Sequence, residues 1–272
     1  MSMQPMLTMA VRAAKQAGEM IAKAAHQLQF IDIEVEAKGV NDFVTRVDKD
    51  AERIIIENLR KAYPIHSFQA EECGYIEGKG EGKEWVWIID PLDGTVNFAH
   101  EIPLFSISIA VAVDKDIVCG VVYQPMTKEL FSAQKQQGAF LNGQLLDISS
   151  TSQMNQALLA TGFPYDVHED PLHCIERFSE ILRTGTPIRR LGSAAIDLAY
   201  VAAGRFDGFW EVGLNSWDMA AGTLLVKEAG GIVTHYDGTE HQIFGYHNLL
   251  ATNKHLHPIM IDYLNKGKHE AY

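Results

Sequence analysis

Asp90 and Asp93 stand three residues apart in Trp85-Val86-Trp87-Ile88-Ile89-Asp90-Pro91-Leu92-Asp93-Gly94-Thr95-Val96-Asn97-Phe98. The aromatic and β-branched run from Trp85 to Ile89 predicts a buried strand, and Pro91, which cannot donate to a sheet ladder, is expected to stop it. Asp93-Gly94 reads as a turn, and Thr95 is well suited to start a helix. Two carboxylates then converge where a strand gives way to a helix. Such a corner offers oxygen ligands to a hard cation, beside backbone N–H groups that favour a phosphate. An ordinary Asp-Gly turn has the same local sequence, so the rest of the chain must decide between the two.

The flanking elements bring further acids to comparable places. Leu7, Val11, Ala14, Gly18, Ile21 and Ala25 line one face of a first amphipathic helix. Asp48 precedes a second, whose Ile54, Ile55, Leu59 and Ala62 face inward, and is expected to cap it. A short strand over 66–70 runs into Glu71-Glu72, and strands over 105–113, 117–124 and 129–135 form an antiparallel meander. Beyond the polar patch Ser149-Ser150-Thr151-Ser152 the pattern alternates strand and helix, with Asp218 before a helix in Asn215-Ser216-Trp217-Asp218-Met219. Capping is the simpler role for Asp218 taken alone. Glu71, Asp90, Asp93 and Asp218 each end an element. Gathered together they would repel one another unless a cation neutralised them, and an all-oxygen set suits Mg²⁺, Mn²⁺ or Ca²⁺ rather than zinc.

Composition narrows the function classes. At 272 residues with 47% hydrophobic and 21% charged residues, the chain can form one large domain or two intimate lobes. A net charge of −12 argues against strong direct nucleic-acid binding. Cys73, Cys119 and Cys174 lack CxxC spacing and suggest a reducing compartment. No apolar window reaches membrane-helix length, so a cytoplasmic location without membrane association is expected. His168-Glu169-Asp170 with His173-Cys174 reads as an exposed loop and helix start rather than a zinc site.

Asp90-Pro91-Leu92-Asp93-Gly94-Thr95, Trp217-Asp218-Met219-Ala220-Ala221-Gly222 with Glu228-Ala229-Gly230-Gly231, and the acidic pair Glu71-Glu72 occur in the order and spacing of the inositol monophosphatase family. The chain resembles that family from its first helix to beyond residue 250, and the stretch from Arg190 to Tyr200 is similar to its bacterial SuhB-type branch. The resemblance implies an α/β fold, a five-layer αβαβα sandwich. Residues 1–148 would form an N-terminal lobe with the meander and most metal ligands, and 149–272 a C-terminal α/β lobe with the specificity residues.

By the same resemblance, Glu71, Asp90 and the Leu92 carbonyl hold one Mg²⁺, and Asp90, Asp93 and Asp218 a second. A third, weaker ion joins near Glu71, and Mn²⁺ can substitute. Gly94 and Thr95 cradle the phosphate. The attacking water is served either by Thr95 with Asp48 or by Glu71, a choice the sequence leaves open. Asp93, Ser193, Ala194, Glu211 and Asp218 contact the substrate. The implied activity is hydrolysis of myo-inositol monophosphate, with fructose-1,6-bisphosphatase, histidinol-phosphate phosphatase and nucleotide phosphatase as alternatives within the family. A homodimer, sensitivity to Li⁺ and a transcription-antitermination partner role are further implications. Cys73 and Val96 depart from the Ser or Thr usual at those positions, which predicts altered packing or metal affinity, and oxidation sensitivity if Cys73 is exposed.

Overall fold

A computed structural model describes residues 4–27, 35–37, 43–245 and 247–266. The chain opens with α1 (Gln4–Gln27), a two-stranded ribbon of β1 (Val35–Ala37) and β2 (Phe43–Thr45), and α2 (Arg46–Ala62). Next come β3 (Ser67–Ala70), β4 (Gly74–Ile76), β5 (Trp85–Asp93) and the short α3 (Thr95–Ala99). The meander follows as β6 (Ser106–Val113), β7 (Asp116–Gln124), β8 (Glu129–Gln134), β9 (Ala139–Leu141) and β10 (Gln144–Leu145). The second half holds β11 (Leu159–Thr161), α4 (Cys174–Leu182), β12 (Ile188–Arg189), α5 (Ala194–Ala202) and β13 (Gly208–Leu214). It ends with α6 (Ser216–Glu228), β14 (Ile232–Thr234), β15 (His247–Thr252) and α7 (His257–Lys266).

Two sheets result, an eight-stranded one ordered β10-β9-β8-β7-β6-β5-β3-β4 and a five-stranded one ordered β12-β11-β13-β15-β14. Side chains alternate across a strand, so β5 sends Trp87 and Ile89 to one core and Ile88 to another. The first core packs Ala10, Ala14, Ala17 and Ile21 of α1, with Ile55 and Leu59 of α2, on the outer face of the large sheet. The second holds α5 and α6 between the sheets, against Ala110 and Val122 on one side and Phe209 and Ala251 on the other. The third packs Ile181 of α4 and Met260 and Leu264 of α7 on the outside of the small sheet. The layers run αβαβα. Both faces of each sheet are covered, which accounts for the nearly unbroken apolar character of β6 and β7.

Two local expectations are corrected. α2 begins at Arg46, so Asp48 lies in its first turn and is not the cap. β5 does not stop at Pro91 but continues to Asp93. Its pairing with β6 steps from Asp90↔Ser108 to Asp93↔Ser106, three residues against two. Pro91 sits in this bulge, where the ladder needs no N–H from it, and the bulge re-aims the carboxylates on either side.

Candidate active site

The β5 bulge sets the first acids in place. Asp90 is buried, and its Oδ1 accepts the Leu92 N–H at 3.0 Å. Gly94 adopts φ 97°, and a Cβ there would also meet the Leu104 carbonyl oxygen at 2.9 Å, so glycine is required on both counts. It hands the chain to α3. Thr95 Oγ1 lies 3.0 Å from the Leu92 oxygen and 3.3 Å from Asp48 Oδ2. One hydroxyl proton serves one of these acceptors at a time. Asn97 ties this corner to the second half, its Nδ2 donating to the Leu104 and Leu191 carbonyls at 2.7 Å each.

Asp93 is gripped by the start of α5. Ser193 Oγ donates to Asp93 Oδ2 at 2.6 Å, and the Ala195 N–H donates to the same oxygen at 2.7 Å. Ser193 also accepts the Ile196 N–H as the helix cap. With its own proton on Asp93, it accepts from Ser106 Oγ across 3.3 Å. The hydroxyl expected to meet substrate is therefore engaged in aligning Asp93. Ala194 beside it is buried.

α6 delivers Asp218 in its first turn, where its Oδ2 accepts the Asn215 N–H at 2.7 Å. Asp218 closes a capping box rather than forming the cap itself. The turn is pinned to the large sheet by Gln69 Nε2 on Ser216 Oγ at 2.8 Å and by Ser108 Oγ on the Trp217 carbonyl at 3.0 Å. Gly120 allows the close approach, since a Cβ there would come within 2.9 Å of Ala221 Cα.

Glu71 reaches the same corner through strand pairing. β3 runs parallel to β5 with Ala70 beside Ile89, and the Glu71 N–H continues the ladder to the Ile89 oxygen at 3.2 Å. Glu71 thus emerges next to Asp90. The turn behind it is held by Glu52, a buried acid on α2 that accepts the Glu72 N–H at 2.8 Å and the Cys73 N–H at 3.0 Å. Sequence reading missed Glu52, although it falls one helical turn after Asp48 on the same face. Cys73 is exposed; partial desolvation of its thiol and the neighbouring Glu52 push it up to about 12.

The electrostatics follow from this gathering. Burial pushes the Asp90 carboxyl well above the usual carboxylate range, and Glu71, Asp93, Asp218 and Asp48 push it further. Asp218 is raised likewise by burial, then by Asp93 and Glu71. Asp93 rises only to about 6, because burial is partly offset by its bonds from Ser193 and the α5 backbone. Among the described residues, the leading charges acting on Asp90 are all negative. The donors are all oxygens, which fits a hard divalent cation.

Glu211, on β13, faces the same space. Its carboxyl is pushed up to about 8 by burial and by Asp93, while Arg190 pulls it back. Arg190 lies over the Phe163 ring at 5.5 Å. Asp197 of α5, fully buried and unflagged by spacing, is raised by burial, Glu211 and Asp93. Away from this site, Asp170, His173 and Glu176 bring one ligand atom each within 4.8 Å of one another, the one such set among the described residues. It sits at the start of α4, with His173 and Glu176 exposed. No three of Glu71, Asp90, Asp93 and Asp218 meet that spacing.

The profile of the inositol monophosphatase family matches residues 2–269. Nus factor SuhB of Pseudomonas aeruginosa is 47% identical over 253 residues, 92% of each chain. The solved structure of extragenic suppressor protein suhB from Bartonella henselae superposes with a TM-score of 0.90 at 40% identity, covering 97% of this chain and 99% of that one. Inositol monophosphatase from Anabaena (Nostoc) sp. PCC 7120 gives a TM-score of 0.85 at 38% identity, covering 97% and 96%. With its motifs on the β5 bulge, at the end of β3 and in the α6 turn of the same fold, the chain belongs to the inositol monophosphatase family.

Proposed function

We propose that the chain hydrolyses myo-inositol monophosphate to inositol and orthophosphate, with two or three Mg²⁺ ions as cofactor and Mn²⁺ as a substitute. One observation carries the reading: Asp90 is buried at a bulge, and the leading charges on it among the described residues are the acids Glu71, Asp93, Asp218 and Asp48. Glu71, Asp90 and the Leu92 carbonyl would hold one ion; Asp90, Asp93 and Asp218 would hold another. Leu92 O accepts one bond from Thr95, which leaves its second lone pair for this role. Asp90, Asp93 and Asp218 do not bring three ligand atoms within 4.8 Å of one another, so these carboxylates would draw together as the ion binds. Bound divalent ions neutralise phosphate oxygens, lower the pKa of water and stabilise a departing alkoxide.

The chain's own groups supply orientation. The Gly94 and Thr95 N–H groups would meet phosphate oxygens. Thr95, switching its proton between Asp48 and the Leu92 oxygen, would receive a bond from the attacking water. Asp48 or Glu71 would take that water's proton, and Thr95→Ala separates them: a loss of about a hundredfold or more in kcat supports the Thr95–Asp48 route. Glu211 and Asp218 would accept hydrogen bonds from ring hydroxyls. In this reading residues 1–148 carry most of the metal ligands, and 149–272 the selectivity.

Release of orthophosphate from a panel of esters, with and without Mg²⁺ and at several Li⁺ concentrations, tests the proposal. Inositol monophosphates should turn over fastest, only with divalent ion, and with millimolar Li⁺ inhibition. Faster turnover of fructose-1,6-bisphosphate, histidinol phosphate or a nucleotide would replace the substrate and keep the chemistry.

The relatives named Nus factor SuhB support a second reading, in which the chain joins a transcription complex. A homodimer and a cytoplasmic location are part of the same proposal and rest on the resemblance alone. Among the described residues no helix is long and apolar enough to cross a membrane. Rescue of a deletion phenotype by Asp93→Asn, a variant expected to lack turnover, would show that the binding role dominates.

A further inference from the structure

Gly162 follows β11 directly, and β11 runs parallel to β13 with Thr161 beside Trp210. Thr161 Oγ1 locks that register by donating to the Trp210 carbonyl at 2.7 Å. One step further along both strands, Gly162 comes alongside Glu211. A Cβ built on Gly162 would overlap both carboxylate oxygens of Glu211 and its Cδ. Its φ is not positive, unlike that of Gly94 or Gly192, so an alanine backbone is allowed there. Glycine is therefore needed at this position for space and not for conformation. The atoms that would have to move are the tip of a flexible side chain, while the paired strands behind them can stay as they are.

We propose that Gly162 is a specificity-determining position: by lacking a side chain it lets the Glu211 carboxylate lie against β11, where it can accept a hydrogen bond from a substrate hydroxyl. Gly162 acts through Glu211 and is a positioning residue. The inference rests on the reading of Glu211 as a hydroxyl-binding group. It adds that the set of usable esters is fixed by the volume at residue 162 as well as by the acid at 211. Any side chain at 162 pushes the carboxylate into the space the ring hydroxyls would use, so the variant discriminates against polyol esters in particular. Arg190, the cation acting on Glu211, is stacked on Phe163, the residue after Gly162, so both neighbours of the carboxylate belong to one short segment and its packing.

The test is a double-mutant cycle of Gly162→Ala and Glu211→Asp, with Glu211→Gln as reference. It is read as the ratio of kcat/KM for myo-inositol 1-phosphate to that for p-nitrophenyl phosphate, which has no hydroxyl to bind. At pH 9, above the value of about 8 to which Glu211 is pushed, losing a hydrogen bond to the charged acceptor lowers such a ratio by about ten- to a hundredfold. Gly162→Ala should lower it by at least about tenfold, through KM for the inositol ester, with an unchanged far-ultraviolet spectrum and melting temperature. In the Glu211→Asp background, where the carboxylate is withdrawn by one methylene, the same alanine should have less than about a twofold effect. An unchanged ratio in Gly162→Ala, with a lowered one in Glu211→Gln, would overturn the role of Gly162 and leave that of Glu211 standing. An unchanged ratio in Glu211→Gln would overturn the reading of Glu211 beneath it. Equal losses on both esters, or full additivity in the cycle, would also overturn the inference.

Discussion

Two buried polar clusters in this molecule are built on opposite terms. In the knot joining β14, β15 and α7, His257 bridges Thr234 and Thr252 at 2.9 and 2.7 Å. Asn253 there donates to Ser149 Oγ and the Thr151 carbonyl and accepts from the His255 and Leu256 N–H groups. Donors meet acceptors throughout. At the β5 bulge, by contrast, Asp90 and Asp218 are raised by burial and then by the negative charge of Glu71 and Asp93 beside them. A satisfied neutral network holds strands together, whereas a set of like charges kept from water works against the fold and is retained for what it binds. The difference separates a structural polar cluster from a binding one without reference to sequence motifs.

The comparison breaks most visibly at Asp90. Asp90→Asn keeps the acceptor for the Leu92 N–H but removes a charge, so kcat should fall by about a thousandfold or more. In chelator at pH 8 the same variant should unfold several degrees higher than the parent, because about 1–3 kcal/mol of repulsion and desolvation is relieved. A lower melting temperature would place Asp90 with the structural polar groups. Next in size is Glu52, whose loss frees the turn carrying Glu71. Glu52→Ala should cost about ten- to a hundredfold in kcat/KM and raise the Mg²⁺ concentration needed for half activity.

The two clusters also answer pH in opposite directions. Burial depresses His257 to about 4 from an unfolded value near 6.5, so its contribution is complete above pH ~6.5 and lost as pH falls toward 4, up to about 3 kcal/mol. The carboxyls at the bulge are raised, Asp93 to about 6, so the metal-free protein loses stability as pH rises through their folded values. Denaturant titrations of metal-free protein should show a steeper acid limb in the parent than in His257→Gln, and a steeper alkaline limb in the parent than in Asp90→Asn. The smallest effect is at the rim of the knot. Ser149→Ala removes one acceptor of Asn253 and should cost about 1 kcal/mol without changing kcat.

Much of this was legible in the chain because the informative residues sit at element ends. Glu71 after β3, Asp90 and Asp93 around the bulge, and Asp218 at the start of α6 could be placed from strand and helix boundaries alone. The five layers followed from the resemblance, while the alternation of strands and helices beyond residue 150 gave α/β layering in that half. What stayed hidden depended on register and packing. Pro91 reads as a terminator unless the partner strand is known to skip a residue there. Asp48 reads as a cap because helix starts shift by a residue or two. Glu52 acts on backbone N–H groups about twenty residues away, which no local pattern encodes. Gly162 is one glycine among 22, and only the parallel pairing with β13 brings it to Glu211.

The central claim is that the buried acids at the β5 bulge exist to take up divalent cations. Isothermal titration of chelator-treated protein with MgCl₂ at pH 7.5, in the presence of inorganic phosphate, tests it directly. Saturable uptake with proton release, abolished in Asp90→Asn, is the predicted result. No uptake by the parent protein, or equal uptake by the variant, would contradict it.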